Sequence, residues 1–454
     1  MVVPTLTVAR STFVEAIRQP VVLVLLLVAA LLHVLNTWIT AFSMGYTQVP
    51  GEVTGNDKLL FDIGLSTVFV IGVLLAAFVA TSAVSREIEN KTVLTVVSKP
   101  VARPAIVIGK FLGVSGVIAI CVYVMMLGLL ISLRHGVLST AAQDMDKPVI
   151  WFSLIAVGGS LSLGAILNYL HGWSFGQSSV LLLVPLTTLA WLGSMFVDRD
   201  WALQDPFANE LFKPNIMLAC VALAMALLVI SAVAVAASTR LGQVMTIAIC
   251  AGAMVLGLLS NHLVGRHAYS NTLIGEIARV EPLDPTDPEM RDTGAQLDVL
   301  LKLPPADDLD LGSRFFWGPN PNGAHLSTPR FAPIAPDVRL ENTIFDASVP
   351  PAVVITEVEN LRIRIKHIGG RPLNFRAPPA EGDFVFVTPT TVNPVPLTAW
   401  AAVPNFHYFW LVDAISQAQP IPLSHILLVL LYGSAQVGVF LSIAVLLFQT
   451  RDVG

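Results

Sequence analysis

Eight stretches of the chain are mostly apolar over about 20 residues, the length that an α-helix needs to cross the hydrocarbon core of a bilayer. So many long apolar segments predict an α-helical polytopic membrane protein with about eight transmembrane helices. Only 13% of the residues are charged and the mean hydropathy is +0.72, whereas soluble domains carry about 25% charged residues. The predicted spans are Pro20–Phe42, Phe61–Ala83, Ile106–Leu133, Ile150–Gly172, Ser179–Val197, Ile216–Ala237, Val244–Val264 and Leu423–Phe448.

Lysine and arginine in the predicted loops indicate the orientation, because they concentrate on the cytoplasmic side. With the N-terminus inside, the inner segments hold nine basic and four acidic residues, while the remainder of the chain holds 17 basic and 27 acidic ones. The sequence therefore predicts that both termini face the cytoplasm.

Residues 1–19 precede the first span and alternate apolar with polar side chains at roughly helical spacing. This pattern predicts an amphipathic helix in the inner membrane interface. A helical extension of the first span is the alternative, although Pro20 argues against continuity. Residues 20–264 then hold the first seven spans.

Residues 266–422 are rich in proline, aspartate and glycine and contain no spanning run. Ala352–Ile368 and Asp383–Thr388 look like strands, and apolar and polar residues alternate within the first of them. We predict a small β-rich extracytoplasmic domain here. The aromatic cluster that begins at Phe406 fits the outer interfacial belt. The last span at 423–448 and a cytoplasmic tail at 449–454 complete the predicted order.

Signatures of catalysis are missing from the sequence. There is no P-loop, GxSxG or HExxH motif, and the three cysteines lie far apart with no metal-ligand spacing. We therefore predict no catalytic residue, no metal site and no cofactor, and the net charge of −5 excludes a basic nucleic-acid binder. The few polar residues in the spans, such as His33 and Asn36, lie near predicted helix ends, where hydration or interhelical hydrogen bonding explains them.

The segment Ser85–Gly113, SREIENKTVLTVVSKPVARPAIVIGKFLG, covers all but the first residue of the predicted cytoplasmic loop at 84–105 between the second and third spans. Its first residues continue the second span with mixed charge, and two Lys/Arg-Pro pairs turn the chain into the third span. From the residues alone, this is either a rigid projection that docks a partner or a solvated loop with the positive charge of an inner segment.

This segment resembles the signature of ABC transporter permeases of the type-2 exporter class, whose usual form is REIE, a small residue, T and L, then KPV, R and GKFLG. The residues that match in order are Arg86, Glu87, Ile88, Glu89, Thr92, Lys99, Pro100, Val101, Arg103, Gly109, Lys110, Phe111 and Gly113. Asn90-Lys91 departs from the usual small residue followed by glycine. The stretches beginning at Thr12, Ala236 and Phe448 also resemble family segments.

The resemblance implies a permease subunit in the bacterial cytoplasmic (inner) membrane, surrounded by lipid and assembled as a homodimer or heterodimer. ATP would be hydrolysed by a separate ABC ATP-binding subunit, so the chain itself is not an enzyme. In the family, a coupling helix in this loop sits in a groove of the ATPase. Carried onto this sequence, the contacts are Arg86, Glu87, Glu89, Asn90, Lys91 and Thr92, and Lys99, Pro100, Arg103, Gly109 and Lys110 are motif residues.

The chain also departs from the family, which usually has six spans. The fourth and fifth spans are the simplest extra hairpin, and 266–422 is an insertion before the last span. Three functions therefore stay open. They are an ATP-driven exporter, an ABC membrane subunit that passes force to an envelope component without transport, and a membrane-anchored scaffold or binding protein.

Overall fold

A computed structural model describes residues 2–40, 55–89, 102–137, 145–207, 214–283, 287, 290, 292–305, 309–328, 351–369, 375–416 and 421–450. For 55–57, 85–89, 413 and 416 it describes the backbone alone. The chain divides into two compact units, one made of Met1–Leu258 with Pro404–Gly454 and the other of Leu259–Val403.

The apolar stretches form long helices, as predicted. Among the described residues, eight helices are long and apolar enough to cross a membrane, which confirms the polytopic helical class. Proline occupies the first turn of α2, α4 and α5, where its missing N–H costs nothing. The helices are α1 (Val2–Ile17), α2 (Pro20–Ile39), α3 (Gly55–Glu89), α4 (Arg103–His135), α5 (Lys147–His171), α6 (Phe175–Phe196), α7 (Pro214–Ser238) and α8 (Gln243–Ser260), with α9 (Pro394–Ala402), α10 (Val412–Ser416) and α11 (Leu423–Gln449) later in the chain.

Helices α3, α4 and α7 form the centre of the helical unit. Their side chains are largely buried against one another, and Leu75, Val117 and Leu227 are completely enclosed. By contrast, α2, α5 and α11 keep rows of exposed leucines, such as Leu31 and Leu427. A transmembrane helix in contact with lipid needs no polar outer face, so these rows fit the lipid-facing surface of the bundle.

The aromatic cluster before α11 packs inside the helical unit. Phe406–Phe409 forms a 3₁₀ turn, and both of its end residues are buried. The ring of Phe406 lies 5.6 Å from that of Phe69 on α3, edge to face. Burial against the helical unit removes the apolar surface of these two rings from solvent, while the position of the cluster in the outer interfacial belt stays a prediction.

The second unit contains a small β-structure, as predicted. Its six-stranded sheet has the order β4-β7-β2-β3-β6-β5, with every neighbouring pair antiparallel. The strands are β1 (Tyr269–Ser270), β2 (Leu273–Pro282), β3 (Gln296–Leu301), β4 (Phe316–Gly318), β5 (Ala352–Glu359), β6 (Arg362–Ile368), β7 (Phe384–Phe386) and β8 (Thr391–Val392), and β1 pairs with β8 separately.

The segment leading into β4 closes this sheet on itself. Phe315 donates its amide to Val353 on β5, and Ile355 donates to Ser313, while β4 itself pairs with β7. The same stretch of chain therefore joins the two edges of the sheet, and closure leaves no open edge between them. Phe315, Phe316 and Trp317 are fully buried in the resulting core.

The expected strand at Ala352–Ile368 is a hairpin of two strands, β5 and β6. Glu359 pairs with Arg362, so only two residues form the turn, and Asn360 has φ +49°. Asparagine tolerates this left-handed conformation better than most residues and is favoured in two-residue hairpin turns. The alternation within β6 holds, since Ile363 and Ile365 point into the core.

An ion-pair cluster stabilises the outer face of β3 and β6. Asp298 is 4% exposed and accepts hydrogen bonds from Arg362 and Arg364, the second at 2.8 Å from Nε. Arg364 also donates to Glu357 on β5. Burial raises the pKa of Asp298, but the hydrogen bonds and charges of the two arginines outweigh it and hold the pKa below its ordinary value.

We expect a fragment of residues 259–403 to fold alone, with a β-type circular dichroism spectrum and a pH-dependent melting temperature. Because the pKa of Asp298 is lower in the folded state, its stabilisation is complete above its unfolded pKa near 3.8 and is lost as the pH falls through the folded value. Thermal melts at pH 7 and in steps below pH 5 measure the loss.

The variant Asp298→Asn should melt several degrees lower at pH 7 and respond less to acid, because its amide carries no charge to titrate. The matched control is Glu381→Gln, which removes an exposed carboxylate of the same unit and should leave the melting curve unchanged. A random-coil spectrum of the wild-type fragment would contradict autonomous folding, and equal acid sensitivity of Asp298→Asn would contradict the linkage.

Candidate partner-binding site

Helix α3 continues past its membrane-spanning part. In the sequence the apolar run ends at Val84, before Ser85 and the charged Arg86, whereas the helix runs to Glu89. At 1.5 Å per residue, the helix projects about 7 Å further. This confirms the expected helical continuation of the second span and places the backbone of Arg86, Glu87 and Glu89 on that projection. Asn90, Lys91, Thr92, Lys99 and Pro100 lie outside the described residues.

Helix α4 begins on the far side of that loop, at the motif residue Arg103. Its guanidinium Nη1 donates to the carbonyl oxygen of Gln449, the last residue of α11, at 2.7 Å. The last carbonyls of a helix have no partner within the helix and carry partial negative charge, so a cation is favourable there. Arg103 therefore joins the start of α4 to the end of α11.

The motif residue Lys110 is buried in the first turns of α4. It is 6% exposed, and its Nζ donates to the carbonyl oxygen of Ala83 on α3. A buried ammonium needs such acceptors, because an unsatisfied charge in an apolar surrounding is costly. Lys110 thus connects α4 to α3 six residues before α3 ends.

The motif glycines form the contact between α1 and α4. A Cβ atom at Gly109 would lie 2.7 Å from the carbonyl oxygen of Thr5, and one at Gly113 would lie 2.6 Å from that of Ala9. Such distances are shorter than van der Waals contact allows, so only glycine permits this approach. The spacing is that of small-xxx-small helix pairs, which bring two backbones together.

Sequence reasoning missed other polar contacts among these helix ends. Gln19, between α1 and α2, donates to Ser82 on α3, and Arg240 donates to Thr450 Oγ1 at 2.5 Å. Arg240 and Thr450 lie in segments that resemble those of the family, so the sequence could have singled them out. It could not indicate that they form a hydrogen bond with each other. Gln19 and Ser82 are isolated polar residues, and no pattern in the sequence indicated their contact.

The outward face of α1 is polar from Thr7 onward, whereas the apolar Val2, Val3 and Leu6 are exposed at its start. Thr7, Arg10, Ser11, Glu15 and Arg18 line a shallow open depression with Val14, and Arg18 donates to Gln177 of α6 at 2.8 Å. Thr12, Ala16 and Ile17 are buried on the other side of α1, and the position of this helix in the inner membrane interface stays a prediction.

The described residues of this region form a framework of contacts between helices. The ends of α3 and α11 contact α4, and α1 packs against α4. Among the described residues, no group of three or more His, Cys, Asp or Glu side chains could hold a metal ion. The three cysteines are free and buried. Such an arrangement can transmit movement from the loop into four helices at once.

One comparison with known proteins gives a match. Residues 6–171 match the family model described as ABC-2 family transporter protein. No curated protein and no solved structure matches the chain. The matched range contains α1 to α5, together with the loop and every motif residue discussed above.

Proposed function

Residues 6–171 carry an ABC-2 family transporter domain, the mark of a membrane permease subunit of an ABC transporter, and on that premise we propose that the chain is the permease of an ATP-driven exporter. Its substrate would move through the membrane while a separate ABC ATP-binding subunit hydrolyses ATP. We also propose that two permease chains, identical or different, assemble with two such subunits in the cytoplasmic membrane.

We place the docking site of the ATP-binding subunit on the segment Arg86–Thr92. The observation that carries this proposal is the continuation of α3 through the charged residues that follow Val84, as far as Glu89. A helix that continues without a break converts a push at its end into movement of the whole span. A loop of flexible residues would absorb the same push.

The contacts at the helix ends support this coupling role. Lys110 connects α4 to α3, and Arg103 connects α4 to α11, so displacement of one helix end strains the others. To move the membrane part from one conformation to the other, ATP-driven docking has to favour the second by about 5 kcal/mol for a nearly complete switch.

In the same arrangement, residues 266–422 would lie outside the cytoplasm and both termini inside. This placement follows from the distribution of lysine and arginine and is consistent with the position of Arg103, Arg240 and the end of α11 near one another.

The test is a pull-down of the tagged full-length chain from its native membrane in mild detergent, followed by mass spectrometry and an ATPase assay. We expect a stoichiometric ATP-binding protein. The double variant Glu87→Arg with Glu89→Arg should lose it at least tenfold, because two reversed charges in a small interface repel the partner that they attracted.

The matched control is Glu359→Arg with Glu381→Arg, which makes the same change of charge at two exposed positions of the second unit and should retain the partner. Retention of the ATPase by the Glu87/Glu89 variant would place docking elsewhere. Recovery of envelope proteins alone by the wild type would replace the permease proposal with a scaffold.

A further inference from the structure

Helices α2, α4, α5 and α6 line an apolar groove of about 540 Å³. One end lies at Trp38, His135 and Met145, and the other at Leu26 and Leu183. Trp38 and Leu26 are twelve residues apart on α2, which corresponds to about 18 Å along the helix. The groove is therefore about as deep as one leaflet of the roughly 30 Å hydrocarbon core.

The groove contains one polar side chain whose ring nitrogens make no hydrogen bond. His33 of α2 is 3% exposed, and neither Nδ1 nor Nε2 has a partner in hydrogen-bonding geometry; the backbone of Met125 is the polar group that the ring approaches. A buried donor without an acceptor costs about 1–3 kcal/mol. Gly128 lets the ring pack closely against α4, since a Cβ there would lie only 3.3 Å from His33 Cδ2.

The hydroxyl groups along the groove already donate hydrogen bonds to carbonyl oxygens of their own helices. Thr37 donates to Val34, Ser132 to Leu129, Ser153 to Val149 and Thr187 to Leu183, all at 2.6–2.9 Å. Among these lining residues, His33 is the buried one whose N–H has no acceptor, and it can therefore donate to a polar atom of an occupant.

The groove opens sideways to the surface of the helical unit. Leu31 and Val34 on α2 and Leu154 on α5 line it and are each more than half exposed. In a transmembrane bundle such apolar surface faces lipid, so the bilayer supplies molecules directly to the opening.

We propose that the groove binds one acyl-ester lipid, with an ester carbonyl accepting a hydrogen bond from His33. Tryptophan side chains favour the membrane–water interface, which places the head group at the Trp38 end. His33 lies five residues deeper, about 7 Å along the helix, which suits the ester groups directly below a head group. The acyl chain then follows the apolar wall towards Leu26.

This proposal needs only the membrane placement of α2, α4, α5 and α6. It does not depend on ATP coupling or on the docking site, so its failure leaves the proposed permease function intact, and loss of the ATPase partner leaves the lipid site intact.

The experiment uses the full-length chain in vesicles of phosphatidylethanolamine and phosphatidylglycerol, doped with phosphatidylcholine that carries a diazirine on an ester-linked acyl chain. After photolysis, peptides from α2 and α5 should carry the label. Ala30→Phe places a ring in the groove and should lower the labelling at least fivefold.

The matched control is Val28→Phe, on the same helix but outside the groove lining, which should label like the wild type. Ser153→Phe fills the groove from α5 and replaces the first variant if that one fails to fold. Equal labelling of a folded groove-filling variant and Val28→Phe would overturn the proposal.

The role of His33 is tested with an otherwise identical probe whose chain is ether-linked and so lacks the carbonyl acceptor. The wild type should label about 2–10-fold better with the ester probe, the range that one hydrogen bond provides, and His33→Leu should label equally with both. Equal labelling of the wild type would overturn the hydrogen bond. Cross-linking of Leu154→Cys to a second copy without lipid labelling would assign the groove to that copy instead.

Discussion

Replacing Gly113 with leucine is expected to separate α1 from α4. The backbone of α1 lies so close that even a Cβ atom would meet Ala9 O at 2.6 Å and the backbone nitrogen of Phe13 at 2.9 Å. Neither contact is a flexible side-chain end that could move away, so the larger residue has to displace the helix. Overpacking at such a site costs about 1–3 kcal/mol or more. Hydrogen–deuterium exchange of the Val2–Ile17 amides should rise more than tenfold.

The control for this result is Gly438→Leu on α11, where an added Cβ meets nothing within 4 Å. Both substitutions replace glycine by a better helix former, worth up to about 1 kcal/mol in each helix, so any difference between them comes from packing. If our coupling proposal holds, Gly113→Leu also lowers ATPase activity of the assembled complex. Unchanged exchange of α1 in Gly113→Leu would show that the contact is not tight.

Replacing Asp146 with alanine is expected to destabilise the hairpin of α5 and α6 severely. The carboxylate of Asp146 is completely buried, lies 3.0 Å from Arg134 and 3.8 Å from Arg199, and accepts from the amide of Val149 at 3.3 Å as the cap of α5. Its loss leaves the guanidinium of Arg134, which is 11% exposed, without its nearest counter-charge. Breaking a buried ion pair on one side costs about 3–5 kcal/mol, and loss of a helix cap costs about 1 kcal/mol more.

Thermal unfolding in detergent, followed by the appearance of aggregated protein, measures this loss. The control is Asp198→Ala, which removes a half-exposed carboxylate 3.9 Å from the same arginine and should cost less than about 1 kcal/mol. The double variant Asp146→Leu with Arg134→Met removes both charges and should recover part of the stability. A melting temperature of Asp146→Ala equal to that of Asp198→Ala would refute the account.

The spans were predictable because an apolar stretch of this length in a membrane has to form a helix, whatever the rest of the chain does. Backbone hydrogen bonds there have to be made within the segment, so length and composition decide the outcome locally. Within the described residues all eight stretches form helices, and the boundaries differ by a few residues because hydropathy does not report the helical turns that extend beyond the apolar core. Helix α3 shows this best, since its last residues, up to Glu89, are charged and still belong to the helix.

The partners of the polar residues were not predictable. Asn36 fits the expectation of interhelical hydrogen bonding, as its Nδ2 donates to Leu60 on α3 at 2.9 Å. His33, only three residues away, was explained in the same way and instead points its ring into the groove without such a bond. The two residues lie one helical turn apart on α2. Asn36 faces Leu60 on α3, whereas His33 faces Gly128 on α4, and only the packing of the helices decides this.

The family motif shows the same division. The resemblance singled out Arg103, Gly109 and Lys110 from the order of residues alone, and the described structure places each at a contact between helices. It could not say which helices, because Gln449 and Ala83, the residues that Arg103 and Lys110 contact, are far away in sequence. The contacts predicted for Arg86–Thr92 stay a prediction.

What the sequence by itself determined about this protein is local, namely the helical spans, the amphipathic α1, the β-rich segment and the family motif, because each follows from periodicity, hydropathy or residue order within one segment. The tertiary structure decided the rest. Three features arise where distant segments meet. They are the closure of the sheet by the chain before β4, the packing of α1 against Gly109 and Gly113, and the groove around His33. Their energies come from side chains and backbones that touch only after packing, and no single segment contains that information.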